Sequence, residues 1–248
     1  MSFQNKISAK DLLKVGAHYG HKQELWNPKM LPYIYGVRNK IHVINLEITA
    51  KKLHEALKVF YSVAANHGRI LFVNTKKQSS DIVQETATRC GQYYINHRWL
   101  GGILTNWKTV SSSIKTLKKY EAILAEKNST LTKKELLDIT HKKEKLDRAI
   151  GGIRNLGGMP DVLFVNDVNM HNIAVKEAKI LGIPIIAIVD TNSSPDDISI
   201  VIPGNDDSQK TIKFFSNAVA DAIIDGMQYA DNTAKEKAAN TKEDIKKS

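Results

Sequence analysis

The chain has 248 residues, of which 42% are hydrophobic, a single cysteine, and a formal net charge of +10. No stretch reaches the roughly 20 consecutive apolar residues of a transmembrane helix, and the N-terminus has no signal-peptide apolar region. The lone Cys90 excludes an intramolecular disulfide, and we expect it to be a small buried side chain. These features predict a cytoplasmic protein with a sizeable core.

The positive charge is concentrated in two parts of the chain. Residues 1–100 contain 15 Lys/Arg against 6 Asp/Glu, and residues 108–150 contain 11 against 6, whereas residues 151–230 contain 5 against 10. This separation predicts one face that contacts an anion such as nucleic acid and another that does not. Because 30 of the 36 basic residues are lysines, a merely solvated lysine surface remains the alternative.

The N-terminal third begins with a short helix that Ser8 caps and Gly16 ends. Segments rich in Gly, aromatic and basic residues follow, and we expect turn-rich loops there. A short strand over 41–44 precedes a helix, for which apolar residues recur at helical spacing over 49–66. Gly68 ends that helix.

Strands and helices alternate through the rest of the chain, and several of the strands are continuous apolar runs. This pattern predicts a mostly parallel sheet with helices on both faces. The predicted strands are 70–73, 92–95, 161–165, 185–189 and 198–202, and the predicted helices are about 80–90, 172–181 and 208–228.

An insertion interrupts this alternation over residues 108–150. Its apolar residues predict two helices joined by a turn at 128–130, and Thr132 with Glu135 forms a capping box for the second. We therefore predict a projecting, coiled-coil-like hairpin inserted in a sheet domain of residues 1–107 and 151–230. The tail 231–248 has no periodicity, and we expect it to be disordered.

Basic and aromatic side chains recur in the predicted loops. Lys and Arg neutralise phosphates, and aromatic rings stack on bases or pack on ribose. Trp26 and Trp99 have the alternative role of anchoring their loops on the core. The candidate RNA-binding residues are Lys22, Trp26, Lys29, Arg38, Lys40, Lys76, Lys77, Arg98, Trp99, Asn106, Lys108 and Arg154.

Acidic residues near the predicted strand ends leave an enzyme open as an alternative. Asp190 follows a strand at the edge where parallel sheets bind ligands. A weak candidate for a divalent-metal site consists of Asp190, Asp206 and Asp207 together with His18 or His21. Turn and helix-capping roles account for the same residues. The glycines of segment 151–158 lack the pattern of a phosphate-binding loop.

Six segments in register resemble the bacterial, or universal, ribosomal protein S-two family. The resemblance covers about residues 8 to 229. The segments are GAHYGH at 16–21, WNPKM at 26–30, YIYGVRN at 33–39, FVNTKKQ at 72–78, RWLGG at 98–102 with TN at 105–106, and IPGNDD at 202–207.

The resemblance implies a flavodoxin-like α/β domain, with a parallel sheet flanked by helices and a projecting helical hairpin. It implies a ribonucleoprotein component that binds 16S rRNA on the 30S subunit, contacts other small-subunit proteins including the largest one, S-one, and supports translation initiation. The sequence departs from the family pattern at two places. Ser194 precedes Pro195 where the family usually has Asp, and Met170-His171 occur where an acid is common. Both departures weaken a metal or charge role for the acidic residues.

We therefore predict a structural rRNA-binding protein of the cytoplasmic ribosome, with no cofactor, no small-molecule substrate and no membrane partner. A structural divalent metal stays open. The first alternative is an α/β enzyme that acts on a phosphorylated substrate through Lys76, Lys77 and Asp190. The second is a scaffold that binds other proteins through the hairpin.

Overall fold

Eight strands and seven α-helices make up the part of the chain that the structure describes. The computed structural model describes residues 7–126 and 132–247, with side chains as far as Thr233. In chain order the elements are α1 (Ala9–Lys14), β1 (Tyr19–Lys22), β2 (Ile34–Arg38), β3 (Ile41–Ile44), α2 (Leu46–Ala65), β4 (Ile70–Val73), α3 (Ser80–Arg89), β5 (Tyr93–Ile95), α4 (Trp107–Ala125), α5 (Lys133–Ile150), β6 (Val162–Asn166), α6 (Asn172–Ile180), β7 (Ile185–Val189), β8 (Ile200–Pro203) and α7 (Gln209–Lys247).

A five-stranded parallel sheet forms the centre of the protein. Its strands lie in the order β5-β4-β6-β7-β8, and every neighbouring pair is parallel. Counted within this sheet alone, the order is 2-1-3-4-5, which is the flavodoxin-like arrangement. Every residue of β4, β6 and β7 is buried because helices cover both faces. The predicted α/β fold is confirmed.

The sheet separates two apolar layers. Along β4, Ile70 and Phe72 belong to one core cluster and Leu71 and Val73 to the other, because successive side chains of a strand point to opposite faces. Helices α2, α3 and α7 complete the first layer, and α6 with the inner ends of α4 and α5 completes the second. Cys90 is buried in the first layer, and this burial raises the pKa of its thiol to about 12.

Two N-terminal segments that the sequence predicts as loops are strands, and the predicted strand over 41–44 is present as β3. Strands β1, β2 and β3 form a second, antiparallel sheet in the order β1-β3-β2. Asn39 and Lys40 join β2 to β3 with φ angles of +52° and +61°, the left-handed backbone that two-residue hairpins of type I′ require. Glycine usually supplies this geometry at the second position, so Asn39-Lys40 is a weak hairpin signal in the sequence.

The insertion consists of α4 and α5, which pack against each other. Thr132 and Glu135 form the predicted capping box, while the predicted turn at 128–130 lies outside the described residues. Ile114, Leu117 and Ile150 are buried in the second core layer, so one end of the pair is fixed to the sheet domain. The projection of the other end stays a prediction.

The last helix extends beyond its predicted end. We predicted a helix to about residue 228 and a disordered tail from 231, but the backbone of α7 continues to Lys247. The predicted disorder of the tail from residue 231 stays a prediction. Its many Ala, Lys and Glu residues favour helix even without an apolar periodicity.

Candidate nucleic-acid interface

The exposed face of the antiparallel sheet carries a row of basic and apolar side chains. Ile41 on the central strand β3 pairs with Lys22 on β1 and with Arg38 on β2. Residues paired across neighbouring strands lie side by side on one face, so the two cations flank Ile41. We call the surface formed by β1, β2, β3 and the Asn39-Lys40 turn the hairpin surface.

Two open hollows lie on the hairpin surface and meet at Asn39 and Ile41. The first has a volume of about 660 Å³, and Tyr19, Tyr35 and Arg38 are among its lining residues. The second has a volume of about 700 Å³ and is lined by Lys22, Trp26 and Lys40, among others. Four residues that the sequence places in separate segments, Lys22, Trp26, Arg38 and Lys40, are thus brought together around these hollows.

The aromatic residues of this surface differ in exposure. Tyr35 is 80% exposed and Tyr19 53%, so both rings are open to a partner. Trp26 is half-buried and stacks on His42 with ring centroids 5.3 Å apart. Burial lowers the pKa of His42, which favours the neutral ring in this stack. Trp26 therefore anchors the loop and also lines the second hollow, and its contact with RNA stays a prediction.

The cations of the hairpin surface have no acidic partner. Among residues 7–126 and 132–233, no ion pair involves Lys22, Arg38 or Lys40, and all three are exposed. The predicted residue Lys29 is also exposed but pairs with Asp196. Unpaired, exposed Lys and Arg side chains are available to phosphates at no cost in broken internal contacts.

The Arg98 loop is held from beneath by a buried carboxylate. Glu177 on α6 accepts hydrogen bonds from Trp99 Nε1 at 3.0 Å and from the backbone N–H groups of Gly102, Leu104 and Thr105 at 2.8, 2.9 and 3.1 Å. Burial works to raise the pKa of Glu177, but these hydrogen bonds together lower it. The charged carboxylate therefore fixes the loop that presents Arg98.

The role of Glu177 in holding this loop is not predicted from the sequence. Glu177 lies in a helix whose neighbours include Lys176 and Lys179, which is the usual setting of a solvated acid. Only the packing of α6 under the loop reveals its role. The loop presents Arg98, and Asn106 and Lys108 follow; these side chains and that of Lys77 are exposed.

Three predicted RNA-binding residues make contacts within the protein. Trp99 is only 8% exposed and packs in the second core layer, and its indole N–H donates to Glu177. The Arg154 guanidinium bridges Glu121 on α4 at 3.0 Å and Asp147 on α5 at 3.1 Å, so it ties the helical pair together. Lys76 is held among carboxylates, as described next.

The carboxyl edge of the parallel sheet carries a cluster of charges that neutralise one another. We call this cluster the carboxylate rim, and Lys76 lies at its centre. Lys76 Nζ is 2.9 Å from Asp167 Oδ2, 3.0 Å from Asp206 Oδ1 and 2.8 Å from Asp207 Oδ1. Burial disfavours the charged amine, but the neighbouring carboxylates more than offset this effect and raise the pKa of Lys76. The remaining rim residues are Asp190 and His21.

His21 joins the antiparallel sheet to this rim. Its Nδ1 is 3.1 Å from Asp190 Oδ2 and its Nε2 is 3.4 Å from Asp207 Oδ2. The interaction with Asp190 raises the pKa of His21 against the effect of burial. Burial, Asp167 and Asp190 raise the pKa of Asp206 to about 7. The backbone N–H of His21 also donates to Thr191 Oγ1 at 2.9 Å.

The weak metal hypothesis gains no support from this geometry. His21 rather than His18 contacts the acids, and the Lys76 ammonium stands between Asp206 and Asp207. His18 instead stacks on Tyr19 with centroids 4.0 Å apart. Within the described ranges, no group of three or more His, Cys, Asp or Glu residues is arranged to hold a metal ion.

Comparison with known proteins places the chain in a family. A family model described as Ribosomal protein S2 matches residues 12–226. The chain belongs to the ribosomal protein S2 family. Among its described helices, none has the length and apolar character needed to cross a membrane.

Relatives named "Small ribosomal subunit protein uS2" are similar over most of their length. The chain is 58% identical to the protein of Wolbachia sp. subsp. Drosophila simulans over 225 residues, which cover 90% of this chain and 80% of the relative. It is 54% identical to that of Ehrlichia canis over 90% and 77% of the two chains, and 52% identical to that of Idiomarina loihiensis over 88% and 90%. The protein is therefore a structural component of the small ribosomal subunit.

Proposed function

We propose that the protein binds 16S rRNA through the hairpin surface and the exposed cations of the Arg98 loop. The observation that carries this proposal is that Lys22, Arg38 and Lys40 have no ion-pair partner among the described residues and surround two hollows with exposed aromatic rings. A protein surface that keeps cations without acidic partners is electrostatically suited to a polyanion. Residues 1–100, which include this surface, also carry an excess of positive charge.

Family membership supports two further roles. We propose that the protein contacts other small-subunit ribosomal proteins, including the largest one, S-one, and that it supports translation initiation. Leu13, Leu25 and Leu31 leave large apolar side chains exposed close to the hairpin surface in sequence, and such side chains suit protein contacts better than RNA contacts.

Lys76, the main phosphate-binding group of the enzyme alternative, is already paired within the protein. Catalysis on a phosphorylated substrate needs a cation free to bind the phosphate, and Lys76 already contacts three carboxylates. Lys77 is exposed beside it, but a single exposed lysine does not form the closed cleft that such catalysis needs. We therefore favour a structural role for this edge of the sheet.

The salt dependence of binding tests the proposal. The full chain is titrated with a 16S rRNA fragment at several salt concentrations, and the double variant Arg38→Gln/Lys40→Gln is compared with it. Each lost phosphate contact lowers the slope of log affinity against log salt by about one, so the double variant is expected to lose about two.

A matched control uses Lys210→Gln/Lys213→Gln, which removes two exposed cations from α7 in the acidic part of the chain. We expect this control to keep the wild-type slope. Equal slopes for both double variants, or an affinity that does not change with salt, would overturn the proposal.

A further inference from the structure

We propose that the first hollow of the hairpin surface binds an unpaired RNA base, with the neighbouring phosphates held by Arg38 and Lys40. This inference rests on the rRNA-binding role proposed above and names the part of the RNA that this surface receives. It assigns a binding role to Gly36 and Tyr35, which carry no charge.

The floor of the hollow is open at Gly36. A methyl group at this position would have no atom within 4 Å, although Gly36 on the edge strand β2 pairs with Val43 of the central strand β3. A side chain here would fill the hollow rather than clash with the core. Its volume of about 660 Å³ lies within the about 300–1,000 Å³ of small-molecule pockets in general, which is more than enough for one base.

The walls of the hollow suit a flat aromatic ring. Tyr19 and Tyr35 line it with exposed rings, and Val37, Ile41 and Val43 add apolar surface. Nucleic-acid bases stack on such rings irrespective of their sequence, because every base has a π face. Arg38 lines the same hollow, and its planar guanidinium binds phosphate in a two-point geometry.

The charges favour RNA over a protein segment as the occupant. Arg38 lines the hollow, Lys22 and Lys40 line the adjoining one, and Glu24 is the acid among the lining residues of the two. A neutral or basic apolar peptide would leave these cations without partners. An RNA strand pairs them with phosphates while its base enters the apolar hollow.

An unpaired base is required because a duplex hides its bases. In an RNA helix the bases are stacked and paired, and proteins reach them mainly in loops, bulges and ends. A base must therefore leave the stack to enter the hollow. The surface is expected to prefer single-stranded RNA over a duplex of the same length.

The test fills the hollow without touching a charge. The full chain and the variants Gly36→Ala and Gly36→Val are titrated with a fluorescent single-stranded 12-nucleotide RNA and with a duplex of the same length. Valine fits a strand position, so both variants are expected to keep the wild-type melting temperature within a few degrees. Loss of one base-stacking contact corresponds to about tenfold weaker binding.

The expected result is a graded loss of single-stranded binding, small for Ala and about tenfold for Val, with duplex binding unchanged. Tyr35→Phe should retain binding, whereas Tyr35→Ala should weaken it by about fivefold. Full single-stranded binding by Gly36→Val overturns the inference. If the variant keeps RNA binding but loses incorporation into the small subunit, the hollow binds a protein and the inference is also overturned.

The outcome for the inference is separate from that for the proposed function. If Gly36→Val binds single-stranded RNA normally while Arg38→Gln/Lys40→Gln loses salt dependence on 16S rRNA, the surface binds phosphates without capturing a base. If neither the wild-type protein nor any variant shows salt-dependent binding to 16S rRNA, the proposed function fails as well.

Discussion

The hairpin surface and the carboxylate rim are both rich in charged side chains, but their charges have opposite surroundings. In the rim, Lys76 contacts three carboxylates and Asp206 is almost fully buried, so the charges are satisfied within the protein. On the hairpin surface, Lys22 and Arg38 are exposed and lack acidic partners among the described residues. A charged residue thus stabilises the fold when its partners belong to the protein, and it is available for binding when they do not.

Both regions meet at the antiparallel sheet. His21 lies on β1 next to the exposed Lys22, yet it points its ring nitrogens at Asp190 and Asp207 of the rim. Gly20 lies so close to Thr191, the residue after Asp190, that a methyl group on Gly20 would be 2.7 Å from Thr191 Cγ2. The rim therefore positions the sheet whose other surface we propose for RNA.

The largest expected effect comes from removing the central cation of the rim. Lys76→Met leaves several carboxylates close together without a counter-charge, and breaking one side of a buried ion pair costs about 3 kcal/mol. Chemical denaturation should show this loss in the free energy of unfolding. The matched variant Lys77→Met removes an exposed neighbour and should leave stability within about 0.5 kcal/mol of wild type. Equal stability of the two variants would contradict the contrast between the regions.

The second effect concerns the carboxylate under the Arg98 loop. Glu177→Gln replaces a charged acceptor by an amide, whose NH₂ group faces several N–H donors, so we expect a loss of about 2 kcal/mol. Binding of 16S rRNA should weaken as well, because the loop that carries Arg98 loses its support. Glu85→Gln, an exposed acid on α3, is the control. Weaker binding with unchanged stability would mean that Glu177 does not act through the loop.

The pH dependence of stability distinguishes the rim from a set of solvated charges. The pKa of His21 is raised in the folded protein, so its contribution is fully present below its ordinary pKa of about 6.5 and is lost as pH rises through the folded value. The pKa of Asp206 is raised to about 7, so its folded state retains a proton that the unfolded chain loses above about pH 4. The Asp206 effect lowers stability as pH rises from about 4 to about 7, and the His21 effect lowers it as pH rises above about 6.5.

Thermal melting between pH 5.5 and 8.5 measures this trend. We expect the melting temperature of the wild type to fall across this range by more than that of His21→Gln, in which one of the two groups is absent. His141→Gln, which replaces an exposed histidine of α5, should follow the wild-type curve. A wild-type curve as flat as that of His21→Gln would show that His21 has no part in holding β1 to the rim.

The smallest effect on stability is expected at the tip of the hairpin. Lys40 adopts a left-handed backbone with φ of +61°, which glycine accepts without strain. Lys40→Gly relieves backbone strain in the folded state but gives the unfolded chain more conformational freedom. Because these effects oppose each other, the free energy of unfolding should change by less than about 1 kcal/mol. Binding to 16S rRNA should nevertheless weaken. Unchanged binding would show that this cation is not part of the interface.

The sequence predicted the parts of the fold that depend on local periodicity. The continuous apolar runs of β4 and β7 indicated buried parallel strands, and the Thr132–Glu135 spacing indicated the start of α5. The sequence predicted β3 over 41–44, but β1 and β2 were missed because they are short, are mixed with Gly and aromatic residues, and β2 turns into β3 at Asn39-Lys40 rather than at a typical Asn-Gly pair. The extension of α7 beyond residue 228 was missed because its Ala, Lys and Glu residues favour helix without forming an apolar stripe.

For the candidate site, the sequence by itself determined which residue types are present and that the first hundred residues carry an excess of positive charge. Only the tertiary structure decided which of those charges are free. Lys76 and Lys77 are neighbours in the chain, yet one contacts three carboxylates and the other is exposed. The acids that neutralise Lys76 come from segments 91 to 131 residues away along the chain. Such long-range pairing is fixed by the order of strands in the sheet and leaves no local signal in the sequence.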